Sequence, residues 1–227
     1  MKPILFQTEM VRAILEGRKS VTRRIIKPQP AGDGSKPEPL ITRPGYWNTW
    51  GDDYVYRQPY QPGDILWVRE TWGMASDLLG AVPGPVYRAD YTENELRALV
   101  AKHYRWRPSI HMPRKAARIF LRVTEVRVER LQSLNTSDLI AEGITPRHSP
   151  GRCRCAWAVD GCMDGPCPNR DGYEFFAHLK PFAELWDRTM RPADRPCYGW
   201  EANPWVWVIT FERISKEEAG SNGETEY

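Results

Sequence analysis

The chain has 227 residues, 41% of them hydrophobic and 27% charged, with a formal net charge of +3. That suffices for one domain with a real core, or one core carrying large insertions, and it is ordinary for a water-exposed protein rather than a fibrous or low-complexity one. No apolar run has the length that spans a bilayer, and Met1-Lys2-Pro3-Ile4-Leu5-Phe6 is too short and too soon charged for a secretory leader, so a cytoplasmic location is expected and a membrane partner is not.

Thr8 to Glu16 is expected as a short helix, capped by Thr8, with Met10, Ala13 and Ile14 on its apolar face and Gly17 closing it. Ser20 to Lys27 alternates as a strand does. Pro28 to Pro59 is rich in Pro, Gly, Tyr and Trp, has no clear period, and is expected to be a long insertion or loop. Gln61-Pro62-Gly63-Asp64 has the composition of a turn and leads into a buried strand from Ile65 to Trp72. A further strand is expected at Val86 to Tyr91 and a helix at Glu93 to His103.

Ala117 to Leu131 alternates strongly and reads as one long bent strand, or as a hairpin broken near Thr124-Glu125. Asn135 to Glu142 reads as a helix with Asn135 or Thr136 as its cap. Residues 149–172 form a second, Cys/Gly/Pro-rich insertion. Tyr173 to Met190 is helical in pattern and expected to be interrupted at Pro181, Trp205 to Ile214 is a final strand, and 215–227 is a polar, acidic tail expected to be disordered. Strands and helices do not alternate regularly, which argues against a doubly wound sheet. The expectation is a single α+β domain over 1–214, a small mixed β-barrel with flanking helices.

Charge is segregated. Between Arg97 and Arg130 ten Lys/Arg face two acids, and between Arg12 and Lys27 six basic residues face one. Such clustering points to a positive face that meets nucleic acid or nucleotide, with Arg105, Arg107, Arg114 and Lys115 as phosphate contacts; solvated arginines on strand surfaces are the plainer reading. Of ten tryptophans, Trp47, Trp50 and Trp106 sit among Gly, Asp, Tyr and Arg, where base stacking is conceivable but packing is the commoner use.

Gly17-Arg18-Lys19-Ser20-Val21-Thr22-Arg23-Arg24 concentrates the chemistry. Lysine acts as a base when neighbouring cations and burial lower its pKa, and threonine becomes a nucleophile when a base sits beside it. The same cations make an anion-binding loop. Lys19 as a structural partner of Glu142, with Thr22 packing a strand start, is the plainer alternative. Arg69 and Glu70 interrupt an apolar strand and are expected either to line a pocket or to form a buried ion pair.

The segment Gly17-Arg18-Lys19-x-x-Thr22-x-Arg24 resembles the Gly-x-Lys-x-x-Thr-x-Arg motif of the ASCH domain family, whose fold is a PUA-like barrel. Tyr60-Gln61-Pro62-Gly63-Asp64-Ile65-Leu66 resembles the turn and strand that follow it there. Leu131 to Gly143, ending Ala141-Glu142-Gly143, is similar to the family's later helix and its acidic residue. Met1 to Lys27, Val68-Arg69-Glu70-Thr71-Trp72, Arg107 to Pro113 and Trp205 to Ile209 look like its phage and prophage branch. The resemblance implies an RNA-related PUA-like fold, similar to N(4)-acetylcytidine amidohydrolases that use a Lys, a Thr three residues on, and a Glu. It makes Lys19 the base and Thr22 the nucleophile, with Glu142 either orienting Lys19 or returning a proton to the leaving amine. Arg18, Arg23, Arg24, Arg69 and Glu70 are then candidate substrate contacts, and a modified nucleoside or RNA is the partner. A non-catalytic RNA- or nucleotide-binding module is the alternative, and a ribonuclease the third.

Cys153, Cys155, Cys162 and Cys167 form C-x-C-x6-C-x4-C in a loop with few apolar residues. Four thiolates can hold a structural zinc ion, and a loop without its own core gains order from one. Free thiols are the alternative. His148 is an outside replacement ligand, Cys197 is expected as a lone thiol, and no organic cofactor is expected.

Overall fold

The computed structural model describes residues 1–30, 36–40, 43–49, 54–75, 84–101, 103–144 and 170–221. It is an α+β protein whose described residues divide into two compact units.

The first unit comprises Met1–Ser20, Tyr60–Val126 and the chain from Thr210 onward. Strand β1 (Lys2–Leu5) runs parallel to β6 (Ile65–Arg69), with Lys2 opposite Leu66 and Leu5 opposite Arg69. On its other side β6 pairs antiparallel with β9 (Phe120–Arg130), Ile65 opposite Arg122. Ile65, Leu66, Trp67 and Val68 are all buried, as a strand with neighbours on both edges and cover on both faces requires. The turn before β6 forms as its composition dictates: Gly63 takes φ +89°, Asp64 N–H donates to Gln61 O at 3.0 Å, and Asp64 Oδ2 accepts from Gln61 N–H at 2.7 Å.

Helix α1 (Thr8–Leu15) buries Val11, Ala13 and Ile14; its N-cap is Gln7, not Thr8, and no side chain caps it. Strands β7 (Trp72–Met74) and β8 (Pro85–Tyr87) form a two-stranded antiparallel sheet, followed by α2 (Glu93–Ala101). The core of this unit joins Ile65, Trp67, Trp72, Met112, Phe120 and Ile214. Ala219 belongs to it as well. It is 1% exposed on α6 (Lys216–Ser221), a helical turn formed within the stretch expected as a polar tail.

The second unit comprises Val21–Pro59 and Arg127–Ile209. Strand β2 (Val21–Ile25) borders β10 (Trp205–Ile214). Strands β3 (Glu38–Pro39), β4 (Tyr46–Asn48) and β5 (Tyr56–Arg57) make a small antiparallel sheet inside the stretch expected as an insertion. Trp47 belongs to the core here, packed edge-on to Trp207 at 5.5 Å, so it is no base-stacking platform.

Helix α3 (Thr136–Ala141) carries a capping box: Asn135 Oδ1 accepts from Asp138 N–H, and Asp138 Oδ2 accepts from Asn135 N–H, each at 3.0 Å. Helix α4 (Arg170–Arg188) continues through Pro181, and α5 (Arg195–Tyr198) precedes β10. Leu131, Leu139, Phe182, Trp186, Val206 and Val208 form the core of this unit. Each fully buried aliphatic side chain among them contributes about 1.5–3 kcal/mol.

The long strands β9 and β10 are single, unbroken elements that contribute residues to both units. The hydrogen-bonded order of the five-stranded sheet is β1-β6-β9-β10-β2. The order leaves β1 and β2 as edges, so the sheet is open. The closed barrel expected from the sequence is not formed among the described residues. No described helix is long and apolar enough to cross a membrane.

Candidate functional site

Lysine, threonine and glutamate are seldom buried without a reason, because desolvation of polar groups must be offset by partners. The buried polar side chains among the described residues include Lys19 (4% exposed), Thr22 (4%), Arg23, Glu70 and Glu142 (6%). Lys19 lies just past the end of α1, beyond Glu16, Gly17 and Arg18. Gly17 takes φ +74°, and the backbone N–H groups of Arg18 and Lys19 both donate to Ala13 O, at 2.8 and 3.1 Å. That reversal turns the chain off the helix and delivers Lys19 inward, its Nζ 5.8 Å from the Phe6 ring centroid. Arg18, one residue earlier, is exposed and pairs with Glu16. Lys19 belongs to the first unit; Thr22, Arg23 and Glu142 belong to the second.

In the second unit Arg23 is the centre of an acidic cluster. Its Nη1 donates to Glu142 Oε1 at 3.0 Å, and its Nη2 lies 3.4 Å from Asp138 and 3.7 Å from Glu129. Arg127 bridges the same two acids, at 2.6 Å to Glu129 and 3.2 Å to Asp138. The Arg23 side chain is 1% exposed and that of Glu142 5%. Arg23 was expected to touch substrate; its charge is instead matched by carboxylates of the protein. Arg24, next along β2, is half-buried and lines a cavity of about 330 Å³ together with Lys27, Trp186, Arg191 and Tyr198.

In the first unit Glu70 is 1% exposed, and its partner is Arg118, not the adjacent Arg69. Arg118 Nε and Nη2 donate to the two Glu70 oxygens at 2.9 and 3.0 Å, and Nη1 donates to Asp90 at 2.8 Å. The guanidinium lies 3.9 Å from the Tyr87 ring centroid. Arg69 donates to Ile110 O and lies 5.3 Å from the Trp67 ring.

Burial pushes the Glu70 carboxyl above its ordinary 4.5, outweighing the opposing pull of Arg118, and Asp90 adds to the rise. The folded state thus holds this proton more tightly than the unfolded chain. The contribution of Glu70 to stability is fully present below the unfolded value and is lost as pH rises through the folded one. Urea unfolding of wild type and Glu70→Gln across about pH 4 to 7 tests this. The wild type should lose stability relative to the variant as pH rises. Parallel curves would show that Glu70 is not the titrating group.

Of the expected phosphate contacts, Arg105, Arg107, Arg114 and Lys115 are all exposed. Arg107 lies over Trp72 at 5.1 Å, and Trp106 sits between Tyr91 and Tyr104, at 5.4 and 5.0 Å. Arg114 and Lys115 line a cavity of about 370 Å³ with Lys216, Phe120 and Met1.

Cys153, Cys155, Cys162, Cys167, His148 and Trp50 lie outside the described residues. Among those described, Cys197 is a free, exposed thiol, and no group of three or more His, Cys, Asp or Glu is placed to hold a metal. The zinc proposal therefore rests on spacing alone. Elemental analysis should find about one zinc per chain, bound more weakly in acid as thiolates protonate. Metal-free protein with four freely titrating thiols would defeat it.

Sequence reasoning missed Arg118, Asp90, Glu129, Asp138, Lys27, Arg191 and Tyr198. Only Arg118 left a trace, as the lone cation in the apolar run Ala116-Ala117-Arg118-Ile119-Phe120. Comparison with known proteins adds no identity: no family model, no curated protein and no solved structure matches the chain.

Proposed function

We propose that the protein is an amidohydrolase acting on N-acylated, cytidine-type nucleosides, and that its fold is a variant of the PUA-like ASCH architecture. One observation carries the reading: the Lys, the Thr and the Glu that the motif resemblance names are each buried, at 4%, 4% and 6% exposure. Surface residues that matched a motif by chance would be solvated instead.

The proposed chemistry is acyl transfer in two steps. Lys19 takes the hydroxyl proton as Thr22 Oγ attacks the amide carbonyl, and the proton passes to the exocyclic nitrogen as the C–N bond breaks. Water then cleaves the threonine ester, releasing acetate and restoring the hydroxyl. Glu142 orients the lysine or returns a proton to the leaving amine. Arg23 is already matched by acids, so developing charge on the carbonyl oxygen is left to Arg24 or a backbone N–H.

The test is incubation of the purified protein with N(4)-acetylcytidine and with cytidine, following acetate release. Absence of turnover together with tight RNA binding would replace this reading with that of a binding module.

A further inference from the structure

The cavity of about 330 Å³ in the second unit shares only Arg24 with the proposed chemistry, and its lining has a distinct character. Three cations, Arg24, Lys27 and Arg191, stand on it against one carboxylate, Asp194. Arg23 also borders it and is 95% buried by residue; its Nε and Nη2 have no hydrogen-bond acceptor, although acids balance its charge. Neither Lys27 nor Arg191 pairs with a carboxylate among the described residues. Lys27 Nζ instead lies 4.5 Å from the Tyr198 ring centroid.

The remaining wall pairs the rings of Trp186 and Tyr198 with Ile25, Thr189 and Met190. The indole N–H of Trp186 donates to Tyr198 O at 2.9 Å, which fixes the two residues together. The Thr189 hydroxyl donates to Trp186 O at 2.7 Å. Cations placed for an oxyanion, a ring surface beside them and one acceptor at the rim make a set that matches a nucleotide part by part. A volume of about 330 Å³ is in the range of small-ligand pockets and too small for a folded partner.

We propose that this cavity binds a nucleoside monophosphate. Lys27, Arg191 and Arg24 hold the phosphate, Tyr198 supports the base or sugar face, and Asp194 accepts from a ribose hydroxyl. The site lies wholly within one unit and does not depend on Lys19. Its failure is therefore separable from failure of the amidohydrolase reading.

Titration calorimetry of the full chain with cytidine 5′-monophosphate, cytidine and inorganic phosphate tests the idea. The monophosphate should bind, cytidine should bind at least tenfold more weakly, and phosphate alone should also be weaker. Lys27→Ala and Arg191→Ala remove exposed side chains, and each should weaken the monophosphate by about ten- to a hundredfold. Both should leave the melting temperature and any deacylation of the free nucleoside unchanged. Equal binding of phosphate and monophosphate would reduce the site to a simple anion pocket and overturn the proposal. So would wild-type affinity in the double variant, or no binding at millimolar ligand. Much tighter binding of a short single-stranded RNA than of the monophosphate would overturn it in favour of a strand-binding groove.

Discussion

Lys19→Met should lower turnover of an N-acylated cytidine by about 10²- to 10⁴-fold, the range over which a positioned base contributes. Methionine keeps most of the volume of a side chain that is 4% exposed, so the fold should survive and the loss should report chemistry. Thr22→Val is the matched change at the proposed nucleophile. It swaps the hydroxyl for a methyl group on a buried position of β2 and should cost a similar factor. Residues that act as one unit are not additive, so the double variant should be little worse than the poorer single one. Far-ultraviolet circular dichroism on each variant separates lost chemistry from lost structure. Full turnover in both single variants would remove Lys19 and Thr22 from the mechanism. Glu142→Gln is a poorer probe, because Glu142 also anchors the buried Arg23 at 3.0 Å.

Long strands were readable because their alternation is strong. β9 keeps Leu121, Val123 and Val128 buried; the alternation skips at the two exposed residues Thr124 and Glu125, yet the strand does not break there into a hairpin. Helix α3 was readable from its cap, since Asn135 and Asp138 supply local hydrogen bonds whatever the tertiary context. The β3–β5 sheet was not. Its strands are two or three residues long, too short for any period, and a Pro/Gly/Trp-rich segment looks the same whether or not it pairs. Helix α6 was hidden for a similar reason: one buried methyl, on Ala219, ties it down amid polar residues.

The chemistry divides along the same line. The types and spacing of Lys19 and Thr22 are local facts, and the motif exposes them. Partnerships are not local. Glu70 meets Arg118 rather than Arg69, because adjacent strand residues point to opposite faces and only pairing of β6 with the chain leading into β9 brings the arginine round. The nucleotide-shaped cavity draws Lys27 from the end of β2 and Arg191 from beyond α4, with no signature linking them in the sequence.

Arg23→Met should destabilise the second unit by about 3–5 kcal/mol, the cost of breaking a buried ion pair by removing one partner. The Arg23 side chain is 1% exposed, and Glu142, Asp138 and Glu129 lie within 3.7 Å of its guanidinium. Without it, Glu142, at 5% side-chain exposure, loses the guanidinium that stands 3.0 Å from its Oε1. Asp138 and Glu129 are better protected, because Arg127 contacts both. Glu142→Gln on its own leaves Arg23 with two acids and should cost less. In Arg23→Met/Glu142→Gln both members of the 3.0 Å pair are neutral, so the double variant should be more stable than Arg23→Met, with a coupling of about 1–3 kcal/mol in the double-mutant cycle. Urea unfolding followed by tryptophan fluorescence reads all four proteins, since Trp186 and Trp205 are buried in this unit. Additive losses, or an Arg23→Met variant within about 1 kcal/mol of wild type, would show that the cluster is held by its surroundings and not by this arginine.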